Sequence, residues 1–138
     1  FGLGVELDGL VQKKLYGDIK YNEPIEVANE VSSKLKFDYD CDMIVCLSHL
    51  GLEYESEKVS DLKVAKNSSH IDLIIGGHTH SFLEKAITVT NQINKKVVVS
   101  QAGYGGIKLG RLDFIFNKKN EIRKVISTLK DIKSLNFS

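Results

Sequence analysis

Two apolar runs organise the chain. Met43-Ile44-Val45-Cys46-Leu47 and Ile71-Asp72-Leu73-Ile74-Ile75 are each of strand length and nearly free of polar alternation, as in strands covered on both faces. From Pro24 onward Ile25, Val27, Ala28, Val31 and Leu35 recur at near-helical spacing. That predicts an amphipathic helix over 24–36, with Asn22 as its cap and Pro24 in its first turn. Val59, Leu62, Val64 and Ala65 predict a second helix over 57–67, with Ser56 as the candidate cap. Phe1 to Leu7 reads as a short strand. Asp8 to Tyr21 reads as a loop, punctuated by Gly9 and Gly17, with a short turn or strand near Asp18-Ile19-Lys20. The order strand, helix, strand, helix, strand implies parallel pairing through right-handed crossovers.

Past residue 80 the pattern changes. Ala86 to Thr90 and Val97 to Gln101 are β-rich runs separated by a polar stretch, Asn91 to Lys96, which signals a hairpin. Leu109 to Phe116 alternates like a half-exposed strand. Asn117-Lys118-Lys119-Asn120 makes the next turn, and Ile122 to Lys130 reads as the last strand. The fold class expected is α/β, with a parallel βαβαβ first half and an antiparallel second half.

A length of 138 residues suits one domain. A net charge of +1 leaves no electrostatic footprint for a nucleic acid polymer or an anionic membrane. No apolar run approaches the roughly 20 residues that span a bilayer. Cys41 and Cys46 lie five apart, which points them to opposite faces of a strand, so both are expected to be free thiols. The chain opens Phe1-Gly2-Leu3-Gly4-Val5, without Met, like the interior of a buried strand. The expectation is a piece of a longer protein whose upstream strands would cover a sheet edge or face. An uncovered edge invites pairing, so the piece is expected to self-associate, for example as a dimer.

Three of the four histidines fall just beyond the two apolar runs: His49 after the first, His78 and His80 after Gly76-Gly77. In open α/β sheets ligands bind at the carboxyl ends of the strands. Neutral imidazole is the commonest side-chain metal ligand. A His-x-His on a tight turn can present both rings to one concavity, where neighbouring cations could share them. Gly76 and Gly77 are expected to supply positive φ or close backbone approach, and Thr79 to fix the turn. Asp61 and Asp72 are candidates for holding imidazole N–H groups, or else capping or surface carboxylates. Ser48 beside His49 is not a nucleophile pair, because adjacent side chains at a strand end diverge. His70 is expected to be exposed and inert. Gly103-Tyr104-Gly105-Gly106 has no Lys-Ser/Thr sequel, which argues against a phosphate-cradling P-loop.

Ser48-His49-Leu50-Gly51, then Asp61, then Ile71 through His80, then Gln101-Ala102-Gly103-Tyr104-Gly105-Gly106-Ile107-Lys108-Leu109-Gly110-Arg111-Leu112-Asp113 occur in an order and spacing that is specific. Together they resemble the C-terminal half of a calcineurin-like metallophosphoesterase, the 5′-nucleotidase branch most closely. The resemblance covers the chain from about Pro24 to its end. It implies an αββα sandwich of which residues 1–138 are the C-terminal portion. It also implies two divalent metal ions (Zn, Mn, Fe or Co), with His49 and His78 binding one and His80 the other. The family's Asp-x-His, Gly-Asp-x-x-Asp and Gly-Asn-His-Glu motifs do not occur in this chain. They carry the remaining ligands and the acid or stabilising histidine, so no catalytic residue is expected here. The piece alone is expected to bind metal weakly and to hydrolyse little. Gln101 and Tyr104 are implied to line the cleft.

The function implied is release of phosphate from a nucleotide or small phosphomonoester by a metal-activated water. A phosphodiesterase acting on cyclic nucleotides or nucleotide sugars would look the same here, and a non-catalytic scaffold or binding module is the alternative of another class. A zinc-storage module built on His-x-His would show more ligands, cysteines above all. Relatives of this kind are commonly exported to the periplasm or the cell surface.

Overall fold

The two apolar runs become adjacent parallel strands, and the sheet grows outward from them. The computed structural model describes residues 1–119 and 121–132, so Asn120 of the predicted turn lies outside the described residues. The elements in chain order are β1 (Gly2–Leu3), α1 (Lys13–Tyr16), α2 (Pro24–Phe37), β2 (Val45–Ser48), α3 (Asp61–Asn67), β3 (Leu73–Ile75), β4 (Ile87–Thr90), β5 (Lys96–Ser100), β6 (Lys108–Phe116) and β7 (Ile122–Asp131). A five-stranded sheet runs in the order β1-β2-β3-β5-β4. Its first four members are parallel, and β4 runs antiparallel to β5 at the edge. β6 and β7 form a separate antiparallel pair.

The helices begin where their caps allow. The α2 cap is Glu23 rather than Asn22: its carboxylate accepts the Ile25 N–H at 3.4 Å, and Pro24 follows in the first turn. The cap of α3 is Ser60 rather than Ser56. Its hydroxyl accepts the Lys63 N–H at 3.3 Å, so residues 57–60 stay outside the helix. Ala28 of α2 and Val64 and Ala65 of α3 pack against Leu3, Cys46, Ile74, Val97 and Val99 of the sheet. Cys46 is buried there, and burial pushes its thiol up to about 12. Cys41 is half-buried outside the strand, and both cysteines are free.

Several expectations are corrected. The strand at the start shrinks to two residues, and the loop that follows it contains the short helix α1. The second half is not one antiparallel sheet. β5 inserts beside β3, where Val97, Val98 and Val99 are all buried, as an unbroken apolar triplet requires. The two runs are not covered on both faces throughout. Leu47 and Ile75, paired in register, remain 58% and 43% exposed on the face away from the helices.

Candidate metal centre

Because Leu47 pairs with Ile75, the chain leaves β2 and β3 side by side at the same edge of the sheet. One exit is Ser48-His49, anchored by the His49 N–H on the Leu3 carbonyl at 2.8 Å. The other is Gly76-Gly77-His78-Thr79-His80. The rings of His49 and His78 meet edge-on, with centroids 5.2 Å apart and planes 68° apart. Gly77 permits this, since a Cβ there would lie 3.0 Å from His49 Nδ1. Gly76 serves a second close approach: a Cβ on it would overlap the Asp61 carboxylate. Neither glycine takes a positive φ. The left-handed positions are the histidines themselves, His78 at φ 71° and His80 at φ 55°.

His78 is half-buried, and burial is the main cause that lowers its pKa, with the positive fields of His49, Lys58 and His80 adding to it. An imidazole so placed stays neutral with a lone pair to donate. His80 is exposed and lies stacked on Tyr104, with centroids 4.8 Å apart. Tyr104, itself 53% exposed, also tilts against Phe82 at 5.8 Å. The structure therefore brings His49 and His78 together and sets His80 against an exposed aromatic rim.

The two carboxylates singled out from the sequence part company. Asp61 is fully buried and accepts the Ser48 hydroxyl at 2.5 Å; Ser48 Oγ in turn accepts the Leu50 N–H at 3.1 Å. It holds the backbone that carries His49 rather than an imidazole N–H, and its Oδ2 has no hydrogen-bond partner among the described residues. Burial pushes its pKa up to about 6, against the lowering effect of the Ser48 bond. Asp72 sits before the amino end of β3 and accepts the Ile44 N–H at 2.8 Å, so it is not at the histidine rim. Gln101 does not line a cleft. It is 1% exposed and bonded to the turn at Gly77, Thr79 and Ser81. Thr79 is structural: it accepts the Leu52 N–H at 3.0 Å and lies 3.1 Å from the Ser81 hydroxyl. His70 is half-buried rather than exposed, edge-on to Phe37 at 5.0 Å, and burial lowers its pKa, with Lys95 and Lys36 adding. The network behind the turn had one sequence signal, a lone amide closing the apolar run Val97-Val98-Val99-Ser100-Gln101.

The donor chemistry fits a divalent metal in part. Two adjacent imidazoles, one of them biased to the neutral form, suit the nitrogen share of a Zn, Mn, Fe or Co site. Among the described residues no group of three or more His, Cys, Asp or Glu side chains is arranged to hold an ion. Among the same residues, no helix is long and apolar enough to cross a membrane.

No family model matches the chain. The trifunctional nucleotide phosphoesterase YfkN of Bacillus subtilis is 33% identical over 129 residues, 94% of this chain and 8% of that protein. An apyrase of Tabanus yao is 26% identical over 120 residues, 77% of this chain and 21% of the apyrase. The solved 5′-nucleotidase precursor of Thermus thermophilus matches with a TM-score of 0.69 and 29% identity, over 80% of this chain and 23% of its own. The chain thus spans under a quarter of each of these relatives.

Proposed function

We propose, from the premise that the chain belongs to the 5′-nucleotidase family and carries part of its metallophosphoesterase fold, that it supplies the histidine side of a divalent-metal centre in a nucleotide phosphoester hydrolase. The observation that supports this most is the His49–His78 ring pair, 5.2 Å apart at the carboxyl ends of two paired strands, with His80 two residues further along the same turn. When bound, the metal supplies an activated water and neutralises charge on the phosphoryl oxygens. The chain's own residues bind and orient. His49 and His78 offer nitrogens to one ion and His80 to a second. Asp61 through Ser48 fixes the backbone at His49, and Tyr104 fixes the His80 ring by stacking. Substrates are nucleotides or small phosphomonoesters, in keeping with the names of the relatives, and the whole protein acts outside the cytoplasm.

The chain alone binds divalent metal weakly and cleaves phosphate esters at background rate, because no third donor joins the imidazole pair among the described residues. The test is an NMR titration of the histidine rings with zinc or manganese, paired with a phosphate-release assay on a nucleoside monophosphate. Zinc-induced shifts at His49 and His78 in the wild type, with the His78 shift lost in His49→Ala, support the reading; ring resonances that ignore millimolar zinc defeat it. Turnover at ordinary enzyme rates defeats the claim of inactivity. The open face around Leu47 and Ile75 also favours self-association of the isolated chain, and sedimentation as a monomer at high concentration would count against that.

A further inference from the structure

The turn carrying His78 and His80 has an unusual backbone: two non-glycine residues, one apart, both left-handed. Such residues persist only where the surroundings over-determine them. Here the Leu52 N–H on Thr79, the Gly103 N–H on the Ser81 carbonyl and the Tyr104 ring against His80 each hold one point of the turn, and one side chain spans it. Gln101 follows β5 and is 1% exposed. Its Nε2 donates to the Gly77 carbonyl at 2.5 Å, just ahead of His78. Its Oε1 accepts the Thr79 hydroxyl at 3.2 Å, between the histidines, and the Ser81 N–H just after His80. The backbone adds to the grip, since the Leu83 N–H donates to the Gln101 carbonyl at 3.1 Å and the Gly76 N–H to the carbonyl of the preceding Ser100 at 2.9 Å.

We propose that Gln101 is the positioning residue of the histidine turn, a single amide that straddles residues 77–81 and sets the direction in which the His78 and His80 rings leave the backbone. The amide is suited to this because it alone among neutral side chains combines two donors with a two-lone-pair acceptor at one planar tip. It meets a carbonyl on one side of the turn and an N–H and a hydroxyl on the other. A carboxylate would lose the donor to Gly77, and a hydroxyl would lack the span. The metal consequence rests on the reading of His78 and His80 as ligands; the backbone consequence does not.

The experiment separates the two. Wild type, Gln101→Leu and Val64→Ala are compared, the last being a core truncation away from the turn that lowers the melting temperature by a similar amount. Scalar couplings and α-carbon shifts of His78 and His80 report their φ angles, and ring resonances report zinc titrated as the chloride. In Gln101→Leu both residues are expected to leave the left-handed region and zinc binding to weaken at least tenfold, while Val64→Ala keeps the wild-type φ angles and zinc affinity. Unchanged φ angles in Gln101→Leu overturn the proposal. Relaxed φ angles with unchanged zinc affinity uphold the clamp and overturn the ligand role of the two histidines. Should Gln101→Leu fail to fold, Gln101→Asn, which keeps the amide but is one methylene short, gives the same readout. Retention of both left-handed angles in Gln101→Asn likewise overturns the proposal.

Discussion

The two ends of the parallel strands are built from the same residue types to opposite purposes. At the amino end, Asp72 takes the Ile44 N–H and Asn91 reaches the Ser69 carbonyl at 3.2 Å, so polar side chains stitch loop to loop. At the carboxyl end, Asp61 and Gln101 are more deeply buried and hold the two exits from which His49, His78 and His80 emerge. The amino end satisfies backbone groups that would otherwise be stranded. The carboxyl end buries polar groups beneath imidazoles that stay at least partly exposed, an arrangement with a stability cost.

The sharpest way to break the contrast is Gly76→Ala. A methyl there overlaps the buried Asp61 carboxylate, which cannot retreat without leaving Ser48. The expected loss is about 3 kcal/mol, at the upper end of overpacking effects, read from urea unfolding. A loss below about 1 kcal/mol, the low end of that same range, would mean the carboxyl end yields easily and is no more tightly built than the amino end.

Asp61→Asn comes next and adds a pH signature. With the folded carboxyl near 6 and an ordinary value of 3.8, the folded chain holds the proton longer than the unfolded one. Stability contributed by this group therefore falls as pH rises from about 4 to about 6, then levels off, a change of about 3 kcal/mol at most by linkage. Asparagine keeps an oxygen for the Ser48 hydroxyl and cannot ionise. The variant should therefore gain on wild type across that window, and parallel stability curves from pH 4 to 7 would show that Asp61 is not buried as described.

The contrast also marks what sequence could convey. The histidine rim was legible because apolar runs that end in Gly or His place imidazoles at a strand terminus whatever the details of packing. The start of α2 at Pro24 was legible, but its cap and the start of α3 were not, because Asn22 and Glu23, or Ser56 and Ser60, are chemically eligible caps, and only the course of the preceding loop chooses between them. The exposure of Leu47 and Ile75 was hidden because a continuous apolar run does not say which face is covered. The roles of Asp61 and Asp72 were likewise hidden: each is a carboxylate near an apolar element, and which end of the sheet it occupies depends on the three-dimensional crossover. Gln101 was assigned to the cleft because a loop resemblance carries no burial, and its amide works from beneath the turn instead.

Asp72→Ala gives the smallest effect and the most discriminating one. Removing the carboxylate strands the Ile44 N–H, but Asp72 is only half-buried and the Ile44 carbonyl still receives the Asp72 and Leu73 N–H groups at 3.0 and 3.3 Å. The expected loss is about 1 kcal/mol, that of one partly exposed hydrogen bond. Burial raises the Asp72 pKa while the Ile44 bond and Lys95, Lys36 and His70 lower it, so the variant should also move the titration of nearby His70. The ring resonances of His49 and His78 should stay where they are, since sites at opposite ends of the strands share no partner and their effects add independently. If those rings move, the sheet transmits the perturbation along its length, and the two ends are one cooperative unit rather than two separately built ones.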